Sequence, residues 1–211
     1  SGSQAAIIDA FRRATGIRHA ILEPDEFVVL RAAVQRLFGT TMLPYPDLAN
    51  ASFLLNFSAD FLHGWIAPVA LARAYGEFRQ GRAGQRGLYY HVGPRLSATA
   101  ANADRWFPIT PGSEGLVALA IANVLLTEGS IPADRFGPYL TALGIDEARL
   151  TSDFTPDRVA EASGLSAEQI RELAHALVEH SPAIVLAGTS AAAATNGLFN
   201  LVATFGLNVL L

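Results

Sequence analysis

The chain has 211 residues, 51 % of them apolar and only 16 % charged, which excludes global disorder because disorder needs low hydrophobicity and high charge. Its formal net charge is −4 and all its basic residues are Arg, so the basic excess of a nucleic-acid surface is missing, and so is any amine nucleophile or Walker-type lysine. It has no Cys, which removes disulfides, zinc-thiolate sites, iron–sulfur ligation and thiol catalysis from this segment.

Ser3 can cap a first helix carrying Ile7, Ile8 and Phe11, with Gly16 at its end. Residues 17–22 read as a short strand. Pro24 and Asp25 open a second helix with Phe27, Leu30, Val34 and Leu37 on one side, closed by Gly39. Residues 40–47, with two prolines, read as a loop. The apolar run 52–57 suits a buried parallel strand. A helix is expected over 62–79, weakened at Pro68, followed by a polar Gly-rich loop, 81–87, with Arg79, Arg82 and Arg86 in and beside it. An Arg fork there suits a phosphate, an acidic partner or plain solvent.

Residues 88–92 form the next strand, 94–104 a long connection and 106–109 a short strand. Pro111-Gly112 is a turn, and Ser113 caps an apolar helix reaching Thr127 and closed by Gly129. Helical pieces follow over 133–143, then a Thr155-Pro156-Asp157 start and a Ser166–Gln169 capping box. Residues 183–187 are a strand, and Gly188 opens a loop into the last helix. Short strands alternating with longer helices give an α/β fold with a mostly parallel, dinucleotide-binding-like sheet. The expected organisation is an α/β domain over 1–129, a helical connecting segment over 130–181, and the strand-loop-helix of a second α/β portion over 182–211. No apolar stretch reaches the ~20 residues of a membrane span; Thr195, Asn196, Asn200 and Asn208 interrupt the last helix. Met42 is the only Met, and the chain reads as a piece of a larger protein.

The catalytic inventory is thin. His19, His63, His91, His175 and His180 make no metal-binding spacing, and no Gly-x-Ser-x-Gly, Gly-x-Gly-x-x-Gly or Walker loop occurs. No catalytic or metal-ligating residue is assigned. Trp65 and Trp106 read as core or subunit-contact residues. The strand-to-loop junctions remain, because open α/β sheets bind ligands at the carboxyl ends of their strands. They are Ser58-Ala59-Asp60, Gly93-Pro94-Arg95 and Gly188-Thr189-Ser190. Small residues there suit a nearby phosphate or ribose, and equally suit any tight strand–helix connection.

These junctions also carry a resemblance. The runs SFLLNFSADF (52–61), HVGPRLSATAANAD (91–104), WFPITPGSEGLVAL (106–119) and AIVLAGTSAAAATNGLFNLVATFGLNVLL (183–211) resemble, in order and spacing, the large subunit of the molybdopterin oxidoreductase family. The resemblance implies two α/β domains holding the guanosine ends of a bis-molybdopterin guanine dinucleotide, with iron–sulfur clusters elsewhere in the parent subunit. If that cofactor is retained, it falls to Ser58, Asp60, Gly93, Arg95, Thr99, Glu114, Gly188 and Asn196. Three positions depart from the family pattern. Gly93 replaces the acid of an Asp-Pro-Arg strand end, Glu114 replaces the Asp of a Pro-Gly-Thr-Asp turn, and Ser58 replaces a Gly. Each lost acceptor leaves a buried ligand donor unpaired, at about 1–3 kcal/mol.

The combination of VGPR, SATAANAD and PITPGSEG, with the stretch from Asp60 to Gly81, resembles the branch of that family found in alternative complex III, a membrane-bound respiratory quinol-oxidising assembly. That closer resemblance implies a scaffold domain without pterin in the large iron–sulfur subunit. Its partners would be a multihaem cytochrome and quinol-oxidising membrane subunits, on the periplasmic face of the cytoplasmic membrane. Two alternatives stay open: a fragment of an active molybdopterin guanine dinucleotide-dependent oxidoreductase, and a stand-alone nucleotide-binding α/β module.

Overall fold

The computed structural model describes residues 2–20, 27–81, 84, 86–188 and 190–211. Four strands form one parallel sheet: β1 (Phe53–Phe57), β2 (Leu88–Val92), β3 (Arg105–Phe107) and β4 (Ala183–Ala187), in the order β3-β2-β1-β4. β1 lies in the interior and every one of its residues is buried, which is why its sequence is an unbroken apolar run around Asn56. It pairs with β2 (Phe53 opposite Leu88) and with β4 (Phe53 opposite Ala183) in register.

Ten helices accompany the sheet among the described residues: α1 (Gly2–Thr15), α2 (Phe27–Phe38), α3 (Pro68–Gly76), α4 (Glu114–Thr127), α5 (Phe136–Leu143), α6 (Glu147–Asp153), α7 (Pro156–Ser163), α8 (Ala167–Glu179), α9 (Ser190–Ala193) and α10 (Gly197–Leu210). The two most apolar, α4 and α10, pack against each other. α10 also covers α2, α5 and β4, while α4 takes α6, α7 and α8 on its other sides. Gly206 permits the α10–α5 approach: a Cβ there would lie 2.4 Å from the Tyr139 ring.

The fold class stands as an α/β parallel sheet, and several local expectations change. Residues 17–20 are irregular rather than a strand, and residues 21–26, which hold the Pro24-Asp25 start, lie outside the described residues. The 62–79 helix begins only at Pro68, because the Asp60 carbonyl first gathers the N–H groups of His63, Gly64 and Trp65 into a tight turn. The third strand is Arg105–Phe107, shifted from 106–109. Ser113 stands at the N-cap of α4, but its hydroxyl donates to the Thr110 carbonyl (2.6 Å) and not to the helix. The Thr155 cap and the Ser166–Gln169 capping box form as read. β4 does not open a separate sheet: it hydrogen-bonds to β1, because its apolar face completes the same core. Of the helices of 130–181, α6, α7 and α8 pack onto α4 and α5 packs onto α10.

Candidate functional site at the carboxyl ends of the strands

In a doubly wound sheet the ligand crevice lies where the strand order reverses. Here that point is between β1 and β4. The residues singled out from the sequence gather at this end of the sheet, and each junction has a physical cause.

Ser58 ends β1 with φ +58°, the left-handed region that costs a non-Gly residue roughly 1–2 kcal/mol. Its N–H donates to the Val92 carbonyl (3.1 Å), and its hydroxyl reaches Glu114 Oε1 (3.3 Å) and the Val92 carbonyl (3.4 Å). Glu114 is the first residue of α4 and has no solvent exposure. Burial lifts its carboxyl above the usual range, against the opposing pull of the Ser58 hydroxyl and nearby backbone N–H groups.

Gly93 follows β2 in a closed space. A Cβ there would lie 2.6 Å from Ser58 Oγ and 2.9 Å from His91 Nε2. Its carbonyl accepts the Trp106 indole N–H (3.0 Å). His91 is a site residue that sequence reasoning left among the unassigned histidines. It is buried, with Nδ1 3.0 Å from the Tyr89 hydroxyl and 3.2 Å from Asn56 Nδ2. Asn56 Oδ1 accepts the Ala59 N–H (3.0 Å), which orients the amide so that its nitrogen faces the ring. An amide nitrogen only donates, so Nδ1 accepts and the ring proton sits on Nε2. Burial lowers the His91 pKa to about 4, against the raising effect of Asp60. His91 is therefore a neutral donor at physiological pH. With its proton on Nε2 it is no base for Ser58, so the pair is not a nucleophile–base couple.

Asp60 and Arg95 form an ion pair (2.9 Å) at the rim. With Ser58, His91, Ser97 and Ser190 they bound a space of only about 10 Å³. That is room for about one water. A wider cleft of about 250 Å³ adjoins it, lined by Asp60, His63, Arg95, Leu96, Ser97 and Ala98. Thr99 is buried, with its hydroxyl unpartnered. Asn196 does not face the crevice: its amide donates to the Gly112 carbonyl (2.8 Å) beside Asn200, whose Oδ1 accepts the Gly115 N–H (3.1 Å). Gly188 lies against the Trp65 indole, and Thr189 lies outside the described residues. Arg79 and Arg86 grip Asp104, which also accepts the Tyr89 N–H; Arg82 lies outside the described residues. The Arg cluster is thus a clasp on the β2–β3 connection. No group of three or more metal-ligating side chains occurs among the described residues.

An acid at position 93 has no space unless Ser58 or His91 shifts, and Glu114 is buried beneath Ser58. The space between the strand ends holds about one water, and the wider cleft lies beside it.

No family model matches the chain. It is 28 % identical, over its whole length, to the menaquinone reductase, molybdopterin-binding-like subunit of Nitratidesulfovibrio vulgaris, and covers 29 % of that protein. It is also 28 % identical to the arsenate respiratory reductase molybdopterin-containing subunit ArrA of a Shewanella species, across 77 % of this chain and 21 % of that one. This chain is molybdopterin oxidoreductase-like. Its curated relatives are respiratory reductase subunits, and it spans less than a third of the length of either. The fold of this molybdopterin oxidoreductase-like chain is shared with acetylene hydratase from Pelobacter acetylenicus, with a TM-score of 0.64 at 22 % identity over 88 % of this chain and 24 % of that one.

Proposed function

We propose that this chain is a pterin-free scaffold domain in the large iron–sulfur subunit of a membrane-bound respiratory quinol-oxidising complex of the alternative complex III type. The observation that carries the reading is Gly93: the position of the ribose-binding acid is filled from both sides by Ser58 Oγ and His91 Nε2. A site that had merely lost its acid would leave a gap, whereas here the neighbours occupy it. The relative whose name reads molybdopterin-binding-like, in a menaquinone reductase, supports a quinone-linked setting. In this role the domain holds its neighbours in place, electrons pass through clusters elsewhere in the subunit, and the assembly sits on the periplasmic face through a multihaem cytochrome and quinol-oxidising membrane subunits. No helix among the described residues is long and apolar enough to cross a membrane.

One observation favours the second reading, an active molybdopterin enzyme. Among the described residues, the buried side-chain atoms without a partner are Trp65 Nε1, Thr99 Oγ1 and Glu114 Oε2, and all three come after the carboxyl ends of strands in the chain. Unpaired buried polar atoms call for an explanation, and a ligand is one. The purified parent complex decides between the two when assayed for molybdenum, tungsten and the fluorescent oxidised pterin beside iron and haem. Iron and haem without molybdenum, tungsten or pterin is the expected result. Stoichiometric metal and pterin overturns the scaffold reading.

A further inference from the structure

Trp65 stands where the strand order reverses. The turn that closes on the Asp60 carbonyl carries its side chain back across the sheet end, where it is 2 % exposed. A Cβ on Gly188 would lie 2.5 Å from Trp65 Nε1 and 3.2 Å from Cδ1 and Cε2. Gly188 is itself the link between the two strands: its N–H donates to the Phe57 carbonyl at the end of β1 (3.2 Å), directly after β4. The indole edge therefore rests on bare backbone at the β1/β4 junction.

The indole N–H has no acceptor. A ring chosen for core packing alone would be satisfied as well by Phe, which has no donor to bury. An unpaired donor at a sheet's ligand end marks a ring that stands in a place built for polar company.

We infer that Trp65 is a built-in plug of the switch-point crevice, its indole filling the volume a planar heteroaromatic ring of a ligand would take against Gly188. The inference rests on the reading above that the crevice holds no dinucleotide. It is separate from the Gly93 barrier: Gly93 blocks an acid after β2, while Trp65 blocks a ring between β1 and β4.

The test is Trp65→Ala in the full chain, with thermal unfolding measured in the presence of indole, adenine and guanine, each as the free ring compound. The expected result is a lowered Tm that indole and at least one of the two nucleobases raise again, with no rise in the unsubstituted chain. No response to any ring overturns the plug. Response to indole alone also overturns it, since that marks a sealed core cavity with no opening to the crevice. Equal stabilisation of the unsubstituted chain by the bases overturns it too.

If Trp65→Ala does not fold, Gly188→Ala in a Trp106→Phe background displaces the ring and leaves it present. Trp65 emission then shifts to the red and becomes open to acrylamide. Emission that stays blue and shielded overturns the plug. Molybdenum and pterin in the parent complex would overturn the scaffold reading whatever these variants do. Failure of the ring test in a pterin-free parent overturns the plug alone.

Discussion

At position 93 a hydrogen in place of a side chain decides what the sheet end can hold. A Cβ 2.6 Å from Ser58 Oγ and 2.9 Å from His91 Nε2 forces one of them to move. The Ser58 hydroxyl is held by Glu114 and the Val92 carbonyl, and His91 by Asn56 and Tyr89, so a shift of either breaks buried hydrogen bonds. Gly93→Ala is expected to destabilise the chain by about 1–3 kcal/mol, the range of core overpacking, as read from urea unfolding. An unchanged midpoint would show that the space is open and would remove the main support for the scaffold reading. From the sequence, Gly93 is visible only as a departure from an Asp-Pro-Arg pattern. That the departure is irreversible without a second change depends on residues 35 positions before it and two before it, which meet only in the fold.

At the scale of elements, α4, whose first residue Glu114 lies beneath Ser58, is packed against α10. Two Asn residues at the start of α10 fasten it. Asn200 is buried, accepts the Gly115 N–H and donates to the Ala191 carbonyl (3.1 Å); Asn196 donates to Gly112 from a more exposed position. Asn200→Ala leaves a buried N–H and a buried carbonyl unpaired, so a loss of about 2–4 kcal/mol is expected. Asn196→Ala is expected to cost under about 1 kcal/mol, because water can replace an exposed hydrogen bond. Comparing the two Tm values checks the ranking; equal losses would mean that the α4 start is held by something else. The sequence shows both helices through their apolar runs and bounding Gly residues. The family resemblance assigns Asn196 to a cofactor if one is retained, and an Asn beside a Gly suits ligand and backbone equally. Only the distance of 84 residues closed between Asn196 and Gly112 distinguishes them.

At the scale of the whole molecule, two buried groups tie stability to pH with opposite signs. The folded-state pKa of His91 is about 4, below its ordinary value near 6.5. Between those values the unfolded chain binds the extra proton and the folded chain does not, so stability falls as pH drops through that window, by up to about 3 kcal/mol. Glu114 is raised by burial. Its contribution is present below its unfolded pKa and lost as pH rises through the folded one. Glu114→Gln removes that opposing slope and is expected to stabilise the chain at pH 7. In this background, urea unfolding between pH 4 and 7 should show stability declining toward acid, and adding His91→Gln should flatten the curve. A curve that is flat with His91 present would show that the ring is charged or exposed.

What the sequence determined alone is the α/β class, the positions of all four strands to within two residues, most helix ends and the family resemblance. These rest on local causes: apolar runs, capping side chains, and glycines at positive φ such as Gly16, Gly39 and Gly129. The tertiary structure decided the rest. It placed β4 beside β1 in one sheet, where the sequence suggests a second α/β portion, because strand order depends on which apolar faces meet and not on chain order. It turned Arg79 and Arg86 toward Asp104, sealed Glu114 beneath Ser58, set His91 against Asn56, and laid Trp65 over Gly188. Each of these joins residues far apart in the chain, and the character of the site follows from those contacts.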